Sequence, residues 1–267
     1  MGSFTGTVTF ITGASSGIGA ALALEIARQG GDIVLAARRE ERLREVADGI
    51  VKLGRRVLPL KCDVTVEGDV ERAIKQAVDH FGRLDYLVAN AGFGVAGRVD
   101  RLRIDDYRRQ FETNVFGVLR TVQAAREHLI KSRGCVALIG SVNGFISLPG
   151  TSAYCMSKHA VHGLAESLRH ELKSQGVGVV LIVPGFVESE VRKVDSRGVF
   201  RPEAKDYVPR WLRMPADKAA RQITAALHGR ERIRVLTCHG KAAVFLKRHF
   251  PAAVDFLVSR FGSRKNK

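Results

Sequence analysis

Tyr154 and Lys158 stand four residues apart in the segment Ser152-Ala-Tyr-Cys-Met-Ser-Lys-His159, a spacing that stacks two side chains on one face of a helix. An isolated tyrosine has a pKa of roughly 10, too high for ready proton exchange at neutral pH. A nearby ammonium stabilises the phenolate and lowers that value. Such a pair can give a proton to, or take one from, an oxygen undergoing reduction or oxidation. Ser141 lies about one segment earlier, where its hydroxyl could hold a carbonyl oxygen beside Tyr154. An exposed amphipathic pair would show the same spacing, so the surrounding elements must decide.

Short β-branched runs alternate with longer amphipathic stretches. Strands are expected at 8–12, 33–37, 57–62, 84–89, 135–139, 177–183 and 233–237, and helices near 17–29, 40–53, 67–81, 106–131, 152–174 and 216–229. The strands are continuously apolar, which suits a parallel sheet buried on both faces. Strand–helix alternation with right-handed crossovers gives an α/β fold: a doubly wound, Rossmann-type sheet of about seven strands with helices on both faces. One catalytic domain over 1–240 is expected, with a lid at about 188–215 and a basic amphipathic extension over 241–267.

The first strand leads into Thr12-Gly13-Ala14-Ser15-Ser16-Gly17-Ile18-Gly19. Glycines there allow a tight turn and let backbone N–H groups approach a pyrophosphate at the positive end of the next helix; a turn serving only helix–strand packing is the alternative. The second strand ends in Arg38-Arg39, where folds that prefer NAD usually carry an acidic residue for the ribose hydroxyl. Arginine suits a 2′-phosphate, so NADP(H) is expected; a solvated arginine beside Glu40 and Glu41 is the other reading. Asp63, before Val64, is placed to accept from an adenine amine or to cap the following helix. Asn90-Ala91-Gly92 follows the fourth strand at the same edge.

With these segments together the chain resembles the short-chain dehydrogenase/reductase family, from about Thr7 to Gly229. The resemblance rests on Thr12–Gly19, Asp63, Asn90-Ala91-Gly92, Asn114, Ser141, Tyr154-x-x-x-Lys158 and Pro184-Gly185. It implies Tyr154 as acid/base, Ser141 orienting the substrate carbonyl and Asn114 supporting a water relay. Lys158 would tune Tyr154 and hold the nicotinamide ribose, while Pro184, Gly185 and Val187 contact the nicotinamide. Two departures are visible: Ala89 opens the usual Asn-Asn-Ala-Gly, and Ser189 takes the place of a threonine, keeping the hydroxyl. The resemblance further implies hydride transfer between NADPH and a ketone, and a dimer or tetramer through the 106–131 and 152–174 helices.

Among the 267 residues, 43 Lys and Arg face 27 Asp and Glu, for a net charge of +16. Residues 1–191 are near balance, with 24 basic and 21 acidic side chains, whereas 192–267 hold 19 basic and 6 acidic. A uniformly basic chain would suggest nucleic acid. This localised charge, without a recognition motif, argues against it. Cys62, Cys135, Cys155 and Cys238 lack zinc spacing and are read as buried small side chains in a reducing compartment. His159, His162 and His170 are read as surface or interface residues, with no metal site. Phe93 and Phe145 either wall an apolar substrate pocket or pack loops.

Arg192, Lys193, Arg197, Arg201, Lys205, Arg210 and Arg213 share the lid with Phe200, Tyr207 and Trp211. Cations mixed with aromatics suit an apolar substrate with an anionic handle, such as an acyl thioester or another lipid-like ketone; a 3-oxoacyl, sphingoid or steroid-like ketone is the expected class. In the tail, Val254, Leu257, Val258 and Phe261 form an apolar stripe after Pro251, surrounded by Lys247, Arg248, Arg260, Arg264, Lys265 and Lys267. That helix can lie on an anionic membrane, on its own domain or on a partner subunit. No apolar run approaches the ~20 residues of a spanning helix, and no signal peptide is evident. A cytoplasmic protein, with membrane association on the cytoplasmic face one option, is expected. A catalytically idle NADP-binding sensor and a lipid-surface binding protein are the alternatives to an enzyme.

Overall fold

The computed structural model describes residues 2–195, 197–204, 206 and 208–262, with the backbone alone at Phe261 and Gly262. Lys205, Tyr207, Arg264, Lys265 and Lys267, and the Phe261 end of the apolar stripe, lie outside that description.

Seven parallel strands form one sheet: β1 (Val8–Thr12), β2 (Asp32–Ala37), β3 (Val57–Lys61), β4 (Tyr86–Ala89), β5 (Cys135–Ile139), β6 (Gly178–Val183) and β7 (Ile233–Val235), in the order β3-β2-β1-β4-β5-β6-β7. This is the expected Rossmann-type sheet. Every residue of β1, β2 and β5 is buried, as continuously apolar runs between two helical layers require. β3 departs from that pattern because it is the edge strand, and Pro59 and Lys61 reach solvent. Two apolar clusters cover the sheet, one around Phe10, Leu87 and Leu138, the other around Ile11, Leu35 and Ile182.

The helices are α1 (Gly17–Arg28), α2 (Glu40–Val51), α3 (Asp69–Phe81), α4 (Ile104–Phe111), α5 (Gly117–Ser132), α6 (Ser152–Lys173), α7 (Ala216–His228), α8 (Cys238–His249) and α9 (Pro251–Gly262). The single helix expected over 106–131 is instead two, joined by a π-helical turn at Glu112–Phe116. A π turn adds a residue to the helical circuit and re-aims the side chains within it. β7 ends at Val235, short of the expected Thr237, because Thr237 is the N-cap of α8 and its Oγ1 accepts from Gly240 N–H.

Ligands in such sheets bind beyond the carboxyl ends of the strands, where the order reverses. Here that switch point lies between β1 and β4.

Candidate active site

At the switch point, the chain turns from Thr12 through Gly13 into α1. Gly13 and Gly17 hold φ of +64° and +54°, in the left-handed region that favours glycine. A Cβ on Gly13 would stand 2.9 Å from Ala91 Cα, and one on Gly17 2.9 Å from Ser189 Cβ. Thr12 Oγ1 accepts from the N–H groups of Asn90 and Ala91 at 3.0 and 3.1 Å, and Asn90 Nδ2 donates to the Thr12 and Gly13 carbonyls. Asn90 and Ala91 therefore brace the turn. Ser15, Ser16, Gly17, Ile18 and Gly19 form a cradle at the N-terminus of a twelve-residue helix, and Ser16 leaves the first amides without a side-chain cap. Backbone, charge and space fit a pyrophosphate.

Arg39 faces this cradle. Its Nη2 donates to Ser16 Oγ and to the Glu190 carboxylate, both at 2.8 Å, and its guanidinium lies 5.3 Å over the Phe200 ring. Arg42 reaches the other Glu190 oxygen at 3.3 Å. Burial opposes the Glu190 charge, but Arg39, Ser16 and Arg42 outweigh it and hold the carboxyl below its ordinary range. Arg38 is exposed and donates to Gly198 O. Asp63 does not cap α3, whose N-cap is Gly68; its carboxylate accepts from Thr65 N–H and Oγ, closing a local turn beside buried Val64.

Across the sheet edge, Lys158 is buried and its Nζ donates to Ile139 O at 2.8 Å, two residues before Ser141. The same Nζ lies 5.7 Å from the Tyr154 ring centroid. Burial pulls the Lys158 pKa down to about 8. Ser141 is buried and caps a short 3₁₀ turn, its Oγ accepting from Asn143 N–H at 3.1 Å. Asn114, turned inward by the π-helical segment, accepts from Phe93 N–H and donates to Phe93 O and to Ser157 Oγ. Ser157 in turn donates to Tyr154 O. Gly92 lies against Asn114 and Gly94 against the Tyr154 ring. Pro184 O accepts from Val142 N–H, while buried Val187 pairs with Met214 at the root of the lid. The structure thus gathers Asn114, Tyr154, Lys158 and Ser141 in one neighbourhood, with Pro184, Gly185 and Ser189 linking it to the glycine cradle.

A family model described as short chain dehydrogenase matches residues 7–198. The chain belongs to the short-chain dehydrogenase family. It is therefore a member of an oxidoreductase family that uses NAD(P)(H). An 11-beta-hydroxysteroid dehydrogenase A of Arachis hypogaea is 42% identical over 190 residues, covering 70% of this chain and 54% of that protein. The match thus spans about half the length of that plant relative. A dehydrogenase/reductase SDR family protein 7-like of Dictyostelium discoideum is 30% identical over 272 residues, 98% of this chain and 83% of that one. A short-chain dehydrogenase/reductase from Burkholderia phymatum in complex with NAD superposes with a TM-score of 0.83 at 28% identity, over 96% and 97% of the two chains. An alcohol dehydrogenase from Thermococcus sibiricus, complexed with 5-hydroxy-NADP, gives 0.76 at 28% identity over 86% and 94%.

Several side chains of this short-chain dehydrogenase depart from their expected settings. His162 is not a surface residue: it wedges beneath Gly140 and Gly144, its ring is 4.7 Å from Phe145, and Nε2 accepts from Ser141 N–H at 3.4 Å. Burial, then Lys158 and His159, pull its pKa down to about 4. The spatial signal is two glycines where a Cβ would strike its ring; in sequence they precede it by 22 and 18 residues. Cys238 is exposed, unlike the other three cysteines, because it opens α8. Phe93 packs with Val95, Ala153, Val191 and Val194 under the lid, whereas Phe145 packs on the core. Three of the lid cations are paired within the lid: Arg192 and Arg213 with Asp206, Arg201 with Asp195. A cavity of about 410 Å³ opens among Glu188, Glu190, Lys193, Phe200 and Arg210.

Proposed function

We propose that this chain interconverts a ketone and a secondary alcohol with NADP(H), on an apolar substrate. The nicotinamide cofactor, when bound, would supply or accept the hydride. Gly13 and Ser15–Gly19 would hold its pyrophosphate, Arg38 and Arg39 the 2′-phosphate, Asp63 and Val64 the adenine end, and Asn90–Gly92, Pro184, Gly185, Val187 and Ser189 the nicotinamide side. Tyr154 gives its hydroxyl proton to the carbonyl oxygen, or takes it back in the oxidative direction. Ser141 orients that oxygen. Lys158 supports the phenolate left on Tyr154 and reaches the nicotinamide ribose, and Asn114 positions water for proton resupply.

The observation that carries this reading is the buried Lys158 ammonium, 5.7 Å from the Tyr154 ring and held by Ile139 O at the strand edge facing the glycine cradle. An apolar substrate is favoured by the Phe93, Val191 and Val194 cluster beneath the lid and by the steroid named in the plant relatives. Pairing of Arg192, Arg201 and Arg213 within the lid weakens the case for an anionic handle. A homodimer or homotetramer through α5 and α6 is part of the proposal, supported by exposed Phe116 and Met156. So is a cytoplasmic setting, which four unpaired cysteines suit.

The test is NADPH and NADH oxidation followed across steroid ketones, sphingoid ketones, β-ketoacyl thioesters and small aldehydes. Turnover of apolar ketones with NADPH in preference to NADH is expected. No turnover on any of them would return the chain to the idle-sensor reading.

A further inference from the structure

The helices α8 and α9 lie at the margin of the fold and leave an apolar surface uncovered. Phe245, Leu246, Phe250, Phe256 and Leu257 are each between 43% and 67% exposed, five large apolar side chains within thirteen residues. Single exposed apolar residues are ordinary, but a concentration like this marks an interaction surface. On α8 the exposed positions Lys241, Phe245, Leu246, Arg248 and His249 share one face, while Val244 and Lys247 turn inward. On α9, Val254 is buried and Val258 half-buried, so the expected stripe is divided: these two face protein, and Phe256 and Leu257 face solvent with Arg260 one turn on.

Charge decides the occupant. Residues 238–267 contain seven basic side chains and one acidic, Asp255, which pairs with Lys247. A second copy docked by two-fold symmetry would set this basic face against itself. An anionic bilayer complements it. Two twelve-residue helices are too short to span, and among the described residues no helix is long and apolar enough to cross a membrane. They suit burial at the headgroup boundary.

We propose that the exposed face of α8 and α9 docks on an anionic lipid surface. Its location ties it to the site. α8 starts at the catalytic edge, where His239 stacks 5.4 Å from Phe186 and accepts from its N–H, and Gly240 lies against Val142, the residue after Ser141. A lipid surface on this face therefore lies beside the catalytic edge, where an apolar substrate dissolved in the bilayer can enter. That consequence rests on the proposed ketone reductase reading, whereas docking itself does not.

The full chain is sedimented with vesicles of phosphatidylcholine alone and with vesicles in which a third of the lipid is phosphatidylserine. It is expected to pellet with the second kind only, and to release as salt rises from about 0.1 M to about 0.5 M. The variant carrying Phe245→Ser, Leu246→Ser, Phe256→Ser and Leu257→Ser is expected to stay in the supernatant with its thermal midpoint unchanged. Lys241→Gln, Arg248→Gln and Arg260→Gln each weaken partitioning about fivefold. A wild-type chain that ignores both vesicles overturns the proposal, as does a serine variant that binds like the parent. Conversion of an oligomer to a monomer by the serine substitutions, without vesicle binding by the parent, would assign the face to a second copy. Because the readout is binding, it succeeds or fails independently of turnover.

Discussion

The Glu190 carboxylate of the lid stands 2.8 Å from the Arg39 guanidinium, 151 residues away in sequence, over the N-terminus of α1. A carboxylate thus sits on the arginine and the Ser16 hydroxyl that a cofactor phosphate would engage. Both partners are about one-third exposed, so solvent screens the pair and its contribution is about 1 kcal/mol. Glu190→Gln removes the competing charge. NADPH should then bind roughly fivefold more tightly in a fluorescence titration. Unchanged or weaker binding would mean that the lid carboxylate does not compete.

In the proposed binding mode Arg38 and Arg39 hold the 2′-phosphate that distinguishes NADP(H) from NAD(H). With both changed to alanine, 2′,5′-ADP should lose at least about a hundredfold in competition against NADPH while 5′-AMP is little affected, since each charge-assisted contact to a phosphate contributes roughly 1.5–3 kcal/mol. Equal losses for both nucleotides would assign the arginines to the fold.

Lys158 is buried, at a cost in stability, where the proposed reaction needs an ammonium. Its pKa is pulled from 10.5 to about 8. Between those values the unfolded chain holds the proton more firmly. The cost is therefore full below pH 8 and relieved as pH rises toward 10.5. Lys158→Met should resist urea better than the parent at pH 7, with the gap narrowing between pH 8 and 10.5, and should be inactive. A gap that widens with pH would reverse the assignment.

His162 works in the opposite pH range. It is neutral in the fold, and its pKa is down from 6.5 to about 4 through burial and then its neighbours Lys158 and His159. Below 6.5 the unfolded chain takes up the proton first. Stability present above pH 6.5 is therefore lost as pH falls toward 4. His162→Gln keeps an acceptor for Ser141 N–H but does not titrate. Urea midpoints from pH 7 to pH 4 should fall less for this variant than for the parent, with kcat retained. His162→Ala, which removes the acceptor, should lower kcat.

The sheet and the Tyr154/Lys158 pair are legible because their signals are local: apolar runs of strand length, a glycine turn after the first of them, two side chains one helical turn apart. The π turn that buries Asn114 is not, since Glu112–Phe116 keeps ordinary helical character in sequence. Asp206 neutralises Arg192 and Arg213 only after the lid folds back on itself. His162 reads as one of three helical histidines until Gly140 and Gly144 are seen against its ring. Glu190 carries no signal in the sequence because its partners lie on other crossovers. The Glu190 and His162 contacts join segments distant in sequence, which periodicity does not encode.

In the proposed ketone–alcohol interconversion Tyr154 carries the proton. The most direct test is Tyr154→Phe, assayed for NADPH oxidation on the best ketone from the screen and, in parallel, for NADPH binding by titration. Turnover should fall by at least about a hundredfold, with the dissociation constant for NADPH close to that of the parent. Retention of most of the parent rate, with binding intact, would take the proton-donor role away from Tyr154.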